Sequence, residues 1–137
     1  MIQVKISKQS NYPISAVKIK KVLSDFFVSH GIVSDSICYV SFVNETKMKQ
    51  IGKKYYRKQS LANSAGKDSK IHNVFSFVES EVSNFKYPND MIFLGEIVVC
   101  FPIVVKEAKQ ERKLIEEKVI ELVTHSALHL MGIHHKE

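Results

Sequence analysis

Two hydrophobic periods alternate along this chain of 137 residues, and they restrict the possible folds more than any other feature. A period of two, or a run rich in β-branched and aromatic residues, predicts four strands, at 1–6, 36–43, 72–78 and 91–101. Apolar residues spaced by three and four predict four helices, at 15–31, 45–56, 103–112 and 114–131. The order of these segments favours a mixed four-stranded sheet with packed helices, which is an α/β (α+β) fold.

Local signals support several of these boundaries. Ser15 and Asn44 each offer a side-chain oxygen to cap a helix, and Pro102 suits a first helical turn. The strand at 91–101 is apolar on both faces and should lie inside the sheet. From 58 to 70 the apolar pattern disappears and Ser, Asn, Gly and Lys dominate, which predicts a long solvated loop.

The composition is that of a globular protein, with 45% apolar and 25% charged residues. The length predicts a single domain over 1–137. No apolar run is long enough to cross a membrane, and the first ten residues lack the apolar core of a signal peptide, so we expect a cytoplasmic protein. Cys38 and Cys100 lie in apolar strands, which favours reduced core residues over a disulfide or a metal pair.

The net charge is the first indication of a partner. It is formally +6, with a sequence pI of about 9.3. This balance suits an anionic partner such as nucleic acid, but a solubilising excess of surface lysine produces the same balance. Charge alone therefore identifies no partner.

The most specific feature is a histidine cluster, because four of the six histidines fall within the last thirteen residues. His125 and His129 are four apart, so on a helix their imidazoles stand on one face and can bind the same ion. Gly132 allows the chain to leave the helix and turn back, which makes His135 the predicted third ligand and His134 the alternative. Three imidazoles leave the fourth position of Zn²⁺ open, as in catalytic zinc sites, and they also accept nickel, cobalt or iron.

Two other interpretations of this cluster are less favoured. A purification tag would be an uninterrupted run outside the fold, whereas the first two histidines belong to an apolar helix. The spacing His-x-x-x-His-x-x-Gly-x-x-His is also that of metzincin peptidases, but Ser126 stands where their general-base glutamate would be. Serine cannot take a proton from the attacking water, which weakens the peptidase hypothesis.

Three upstream segments accompany the histidine motif: Tyr56-Arg57, the run 72–77 (His-Asn-Val-Phe-Ser-Phe) and the run 94–97 (Leu-Gly-Glu-Ile). In the same order they resemble the Tyr-Arg-Gly, Thr-Asp/Asn-Val-Leu-Ser-Phe and Leu-Gly-Asp-Ile elements of the YbeY family of bacterial rRNA maturation factors. The closing motif of that family is His-Gly-x-Leu-His-Leu-x-Gly-Tyr-Asp-His. It is matched here by His125, Leu128, His129, Leu130, Gly132 and His135.

The chain also departs from the family pattern. Ser126 replaces Gly, Ile133 replaces Tyr, His134 replaces Asp and His72 replaces Thr, and the loop between Arg57 and His72 is longer by several residues. The change at His134 removes a carboxylate that could orient a metal ligand. It leaves the three ligand positions intact.

The resemblance implies a metal-dependent hydrolase domain with one Zn²⁺ held by His125, His129 and His135. It implies a single-strand-specific endoribonuclease acting in rRNA maturation and ribosome assembly or quality control. The implied partners are single-stranded RNA, above all rRNA, and the ribosomal subunit or its proteins. Arg57, in the Tyr-Arg element, becomes the catalytic residue that binds the phosphate. From the residues alone, Arg57 could equally be a helix-terminal arginine that answers the helix dipole.

Lysines around the 58–70 segment complete the predicted site. Lys58, Lys67 and Lys70 could bind the backbone of single-stranded RNA, although loop lysines are usually only solvated. Two other functions stay open. The first is a noncatalytic ribosome-assembly factor with a structural metal, and the second is a metal-dependent peptidase that takes its carboxylate from elsewhere in the chain.

Overall fold

The protein is described here by a computed structural model, which covers residues 1–59, 71–78 and 91–132. Within these ranges the elements are β1 (Ile2–Lys8), α1 (Ala16–Ser29), β2 (Ser36–Val43), α2 (Glu45–Gln59), β3 (Val74–Phe77), β4 (Ile92–Cys100), α3 (Phe101–Glu111) and α4 (Ile115–Leu130). The predicted α/β class and the order of elements are confirmed. Among the helices in these ranges, none is both long and apolar enough to span a bilayer.

The strands form one mixed sheet in the order β1-β2-β4-β3. β1, β2 and β4 are parallel, and β3 pairs antiparallel with β4. The ladder between β2 and β4 shifts after Ile37, so that Cys38 lies opposite Gly95. β4 lies between β2 and β3, and its last four side chains are buried, which confirms the prediction of an interior strand.

The predicted caps of the first two helices are present. Ser15 Oγ accepts a hydrogen bond from the Lys18 backbone N–H at 3.2 Å, and Asn44 Oδ1 accepts one from the Lys47 backbone N–H at 2.8 Å. The predicted start of the long loop at Lys58 is wrong, because α2 continues to Gln59. Lysine and glutamine are good helix formers, so a helix persists after its apolar stripe has ended. The remainder of the predicted loop, 60–70, lies outside the described residues.

The helices cover both faces of the sheet. The larger core cluster packs α1, α3 and α4 against one face, through side chains that include Leu23, Val104 and Val123, each fully buried. A smaller cluster on the other face joins Met48 of α2 to Phe75 of β3 and to the end of β4. α4 and α2 therefore lie on opposite faces of the sheet.

Both cysteines are buried and free, as predicted. Burial, reinforced by the nearby Glu96 carboxyl, raises the pKa of Cys38 to about 12. At neutral pH this thiol stays protonated and unreactive, because only the thiolate attacks or binds metal. The cysteines are structural residues of the core.

A network of charges joins α3 to α4. Lys118 of α4 is only 5% exposed, and its Nζ donates to both carboxylate oxygens of Glu111, at 3.0 and 2.9 Å. Glu107 and Glu121 lie farther from the same Nζ, at 4.0 and 3.5 Å. Lys113 also pairs with Glu111 and with Glu121. The network holds the start of α4, the helix that carries the histidine pair, against α3.

We expect this network to make folding stability sensitive to acid. The Lys118 hydrogen bond lowers the pKa of Glu111, and the Lys113 hydrogen bond lowers that of Glu121, from an ordinary value of 4.5. Because the folded pKa is the lower one, this stability is fully present above pH 4.5 and is lost as the pH falls through the folded values. Urea unfolding at about pH 7 and about pH 3 should show a smaller acid loss for Lys118→Met than for the unmutated chain. Equal losses would contradict the assignment.

Candidate metal centre

Two histidines stand side by side on the last two turns of α4. The ring centroids of His125 and His129 are 4.6 Å apart, with an angle of 56° between the ring planes. Their neighbours Ser126 and Ala127 are buried in the core at 1% and 0% exposure, whereas His125 is exposed and His129 half-buried. The four-residue spacing therefore places both imidazoles together on the accessible side of the helix, as the sequence predicted.

The end of α4 has the predicted turn. Gly132 has a φ of +80°, in the left-handed region, and its N–H donates to the carbonyl of His129 at 3.0 Å. Glycine adopts this conformation without strain, so the chain can change direction three residues after the second histidine. His134 and His135, the two candidates for the third ligand, lie outside the described residues. Within 1–59, 71–78 and 91–132, no three metal-ligating side chains come together.

A close contact with the sheet fixes the last turn of α4. Gly95 of β4 has a φ of +142°, and a Cβ atom there would lie 2.5 Å from Leu130 Cδ2 and 2.6 Å from the Phe77 carbonyl oxygen. No other residue leaves space for this approach. Leu130 directly follows His129, so the absence of a side chain at Gly95 lets Leu130 pack on β4 next to the histidine-bearing turn. Sequence reasoning singled out Gly95 only as part of a family segment and assigned it no role.

Glu96 is a titratable residue that the predicted site did not include. It lies opposite Tyr39 and Phe77 in the sheet, and Ser41 Oγ donates to its Oε2 at 3.5 Å. Burial raises the pKa of Glu96, and the Ser41 hydrogen bond offsets part of that shift. Because side chains alternate along a strand, Glu96 and the α4-facing Gly95 lie on opposite faces of the sheet. The structure therefore does not bring this carboxyl together with the histidine pair.

The other predicted site residues are only partly described. Arg57 and Lys58 belong to the last turn of α2, with their side chains outside the description, and Lys67 and Lys70 lie outside the described residues. Gly52 of α2 lies over Phe75 of β3, since a Cβ there would be 3.6 Å from that ring. α4 packs on the other side of β3. The edge strand β3 is thus flanked by the two helices that carry Arg57 and the histidine pair.

The chemistry of the donors decides whether a metal ion would fit at this position. Two imidazoles one helical turn apart, half-buried or exposed, suit borderline ions such as Zn²⁺. The left-handed turn at Gly132 lets a following residue approach the same ion. The residues present fit a zinc site that needs at least one more ligand.

A family model and the curated relatives that match this chain carry the same family name. The family model described as Endoribonuclease YbeY matches residues 3–137. A protein named Endoribonuclease YbeY from Cupriavidus metallidurans is 30% identical over 132 residues, covering 96% of this chain and 56% of its own length. One from Delftia acidovorans is 20% identical over 135 residues, which is 98% of this chain and 77% of that protein.

A solved structure supports the same fold. The solution structure of TM1509 from Thermotoga maritima has a TM-score of 0.53 and 24% identity, and the match covers 97% of this chain and 75% of that one. The chain spans about half the length of the curated relatives it matches, with 56%, 26% and 47% of the first three. On the family match over nearly all its residues, the chain belongs to the Endoribonuclease YbeY family.

Proposed function

We propose that the chain is a single-strand-specific metallo-endoribonuclease that acts in rRNA maturation and in ribosome assembly or quality control. The observation that carries the proposal is the pair His125 and His129, one turn apart before a left-handed Gly132, in a chain that matches the family over 3–137. Its partners would be single-stranded rRNA and the ribosomal subunit or its proteins. Its compartment would be the cytoplasm, where free thiols such as Cys38 persist.

One Zn²⁺ per chain would be held by His125, His129 and His135, with His134 as the alternative to His135. When bound, zinc supplies a Lewis acid for the phosphoryl oxygen and lowers the pKa of the attacking water toward about 7. His125 and His129 would bind the ion through a ring nitrogen, which requires the neutral imidazole because an imidazolium has no free lone pair. Leu130, the residue after His129, packs over Gly95 and would help to hold this turn of α4 against the sheet.

Arg57 would bind the scissile phosphate. A guanidinium offers paired N–H donors that match two phosphate oxygens and offset the charge that develops during cleavage. Arg57 belongs to the last turn of α2, which lies on the opposite face of the sheet from α4, so its side chain would have to reach the phosphate around the edge strand β3. Lys58, Lys67 and Lys70 would neutralise neighbouring phosphates of the RNA strand.

Ser126 gives the peptidase alternative no support. The residue that follows the first histidine is 1% exposed, inside the core, and carries no carboxylate. A glutamate in that sequence position is what activates water in the peptidases with this spacing. A hydrolase acting through this site would therefore draw its specificity from the phosphate-binding residues.

Arg57→Ala should keep the fold and the metal but lose most RNA cleavage, by about 100-fold, because it removes the phosphate donor only. The measurement is the rate of single-stranded RNA cleavage by zinc-loaded protein, with single-stranded DNA and casein as parallel substrates. The matched variant replaces Lys58, Lys67 and Lys70 by Ala, and should weaken RNA binding and flatten its salt dependence. Unchanged cleavage by Arg57→Ala, or turnover of casein by the unmutated chain, would reject the proposal.

A further inference from the structure

Within the part of the chain that the structure describes, the outer edge of β1 has backbone N–H and C=O groups without a strand partner. β1 is the last strand of the sheet on its side, and it pairs only with β2 among the described residues. The Ser36 N–H donates to the Met1 carbonyl, and the Gln9 N–H donates to the Phe42 carbonyl. In a parallel ladder the bonded residues alternate, so the odd residues of β1 pair with β2. The N–H and C=O groups of Ile2, Val4 and Ile6 therefore face outward.

A groove of about 460 Å³ runs between this edge and α1. Its floor includes the apolar side chains of Ile2, Val4 and Val17. Val17 is 78% exposed on the first turn of α1, where it contributes almost nothing to the core. An aliphatic side chain from a partner would bury this valine and gain the free energy of apolar contact.

The rim of the groove is basic. Lys5 of β1 and Lys20 and Lys21 of α1 line it, and none of its described lining residues is acidic. Lys21 pairs with Asp25 at 3.1 Å, but both side chains are well exposed, so the ion pair is weak and can exchange partners. Three lysines around one groove make an acidic partner complementary.

We propose that the β1 edge binds an extended acidic segment of a partner protein, which adds to the sheet as a fifth strand. Because side chains alternate along a strand, its aliphatic side chains would face α1 and contact Val17, and its acidic side chains would lie on the other face beside Lys5. Lys20 and Lys21 would attract the segment through its net negative charge. The outward backbone groups of Ile2, Val4 and Ile6 are donors (N–H) and acceptors (C=O) in turn, which favours a peptide over RNA as the ligand. A peptide backbone supplies both groups, whereas phosphates only accept hydrogen bonds.

This surface is separate from the candidate metal centre. β1 and β3 are at opposite edges of the sheet, and the helix with the histidine pair packs on β3 and β4. A partner on β1 would leave the region between α2 and α4 accessible. The β1 edge could thus bind a partner protein while RNA binds near the β3 edge. The inference does not depend on the proposed activity.

The test uses a synthetic peptide of roughly ten residues that alternates glutamate and valine. Amide hydrogen exchange of the unmutated chain is followed by NMR with and without the peptide. We expect exchange at Val4 and Ile6 to slow at least about tenfold, and the already bonded amides of Lys5 and Ser7 to change little. Slower exchange at the even residues with little change at the odd residues is expected only if a strand adds to the β1 edge.

Charge variants give a second measurement. Lys5→Glu combined with Lys20→Glu should weaken peptide binding by at least about tenfold. Lys49→Glu combined with Lys53→Glu makes the same change of charge on exposed positions of α2, and should weaken it less than about threefold. A lysine-valine peptide and a single-stranded oligouridine are the competing probes.

Four results would overturn the proposal. These are the absence of binding at about millimolar peptide, equal binding of the lysine-valine peptide, protection without the odd and even pattern, and protection of the β1 edge by oligouridine in place of the peptide. The last result would identify the groove as a phosphate-binding surface. Because the exchange pattern is read on the unmutated chain, the outcome does not depend on whether a variant folds.

Discussion

His129→Ala is expected to lose most of the divalent metal that the unmutated protein retains at about one ion per chain. His129 shares one helical face with His125 at a ring separation of 4.6 Å, so its removal leaves at most two of the three proposed ligands. The loss of a ligand weakens a zinc site far more than a change at a neighbouring surface residue does. The measurement is metal content by mass spectrometry after purification without added metal.

The matched control for this loss is His30→Ala. His30 ends α1, stacks on Phe26 with ring centroids 4.3 Å apart, and is exposed, so its removal should leave metal content unchanged. His135→Ala should lose metal and His134→Ala should keep it, which would identify the third ligand. Full occupancy in His129→Ala would refute the metal centre.

Gly95→Ala is expected to destabilise the fold by about 3 kcal/mol and to weaken metal binding. The new Cβ would meet Leu130 Cδ2 at 2.5 Å and the Phe77 carbonyl oxygen at 2.6 Å, and alanine is strained at a φ of +142°. Relief of the overlap requires the Leu130 side chain to turn away from β4 and the Phe77 carbonyl of β3 to shift, which loosens the packing next to His129. Urea unfolding in the presence of a chelator measures the free energy of unfolding of the metal-free protein, without the stabilisation that bound metal adds.

Substitutions at two other glycines distinguish backbone strain from steric overlap as the cause of the destabilisation. Gly31→Ala shares the positive φ, at +94°, but meets nothing within 4 Å, so it should cost only about 1 kcal/mol of backbone strain. Gly52→Ala lies in α2, with its Cβ at an ordinary 3.6 Å from Phe75, and should be neutral or stabilising. Neither should change metal affinity. If Gly95→Ala had as small an effect as Gly31→Ala, the contact with Leu130 would not fix α4.

The features that the sequence predicted well are local ones. The β2 strand at 36–43 has the predicted bounds, and the caps at Ser15 and Asn44 form as expected. A cap depends on residues three apart, and the proximity of His125 and His129 depends on a spacing of four. Neither requires knowledge of the rest of the fold.

The features that the sequence did not predict depend on distant segments. The order β1-β2-β4-β3 and the register shift after Ile37 arise from pairing between strands that periodicity cannot identify. The contact between Gly95 and Leu130 joins residues 35 positions apart in sequence. The end of α2 at Gln59 was missed for a different reason, because the sequence of its last turn has no apolar pattern.

The most direct test of the account is the cleavage of single-stranded RNA by the unmutated protein and by His125→Ala, purified identically and incubated with the same zinc. Identical purification is essential because a trace of contaminating ribonuclease would appear in both preparations. Far-UV circular dichroism should show the same fold, since His125 is exposed and contributes little to the core. We predict that only the unmutated protein cleaves RNA and that it leaves single-stranded DNA intact. Equal RNA cleavage by both proteins would contradict a metal-dependent nuclease and favour a noncatalytic assembly factor.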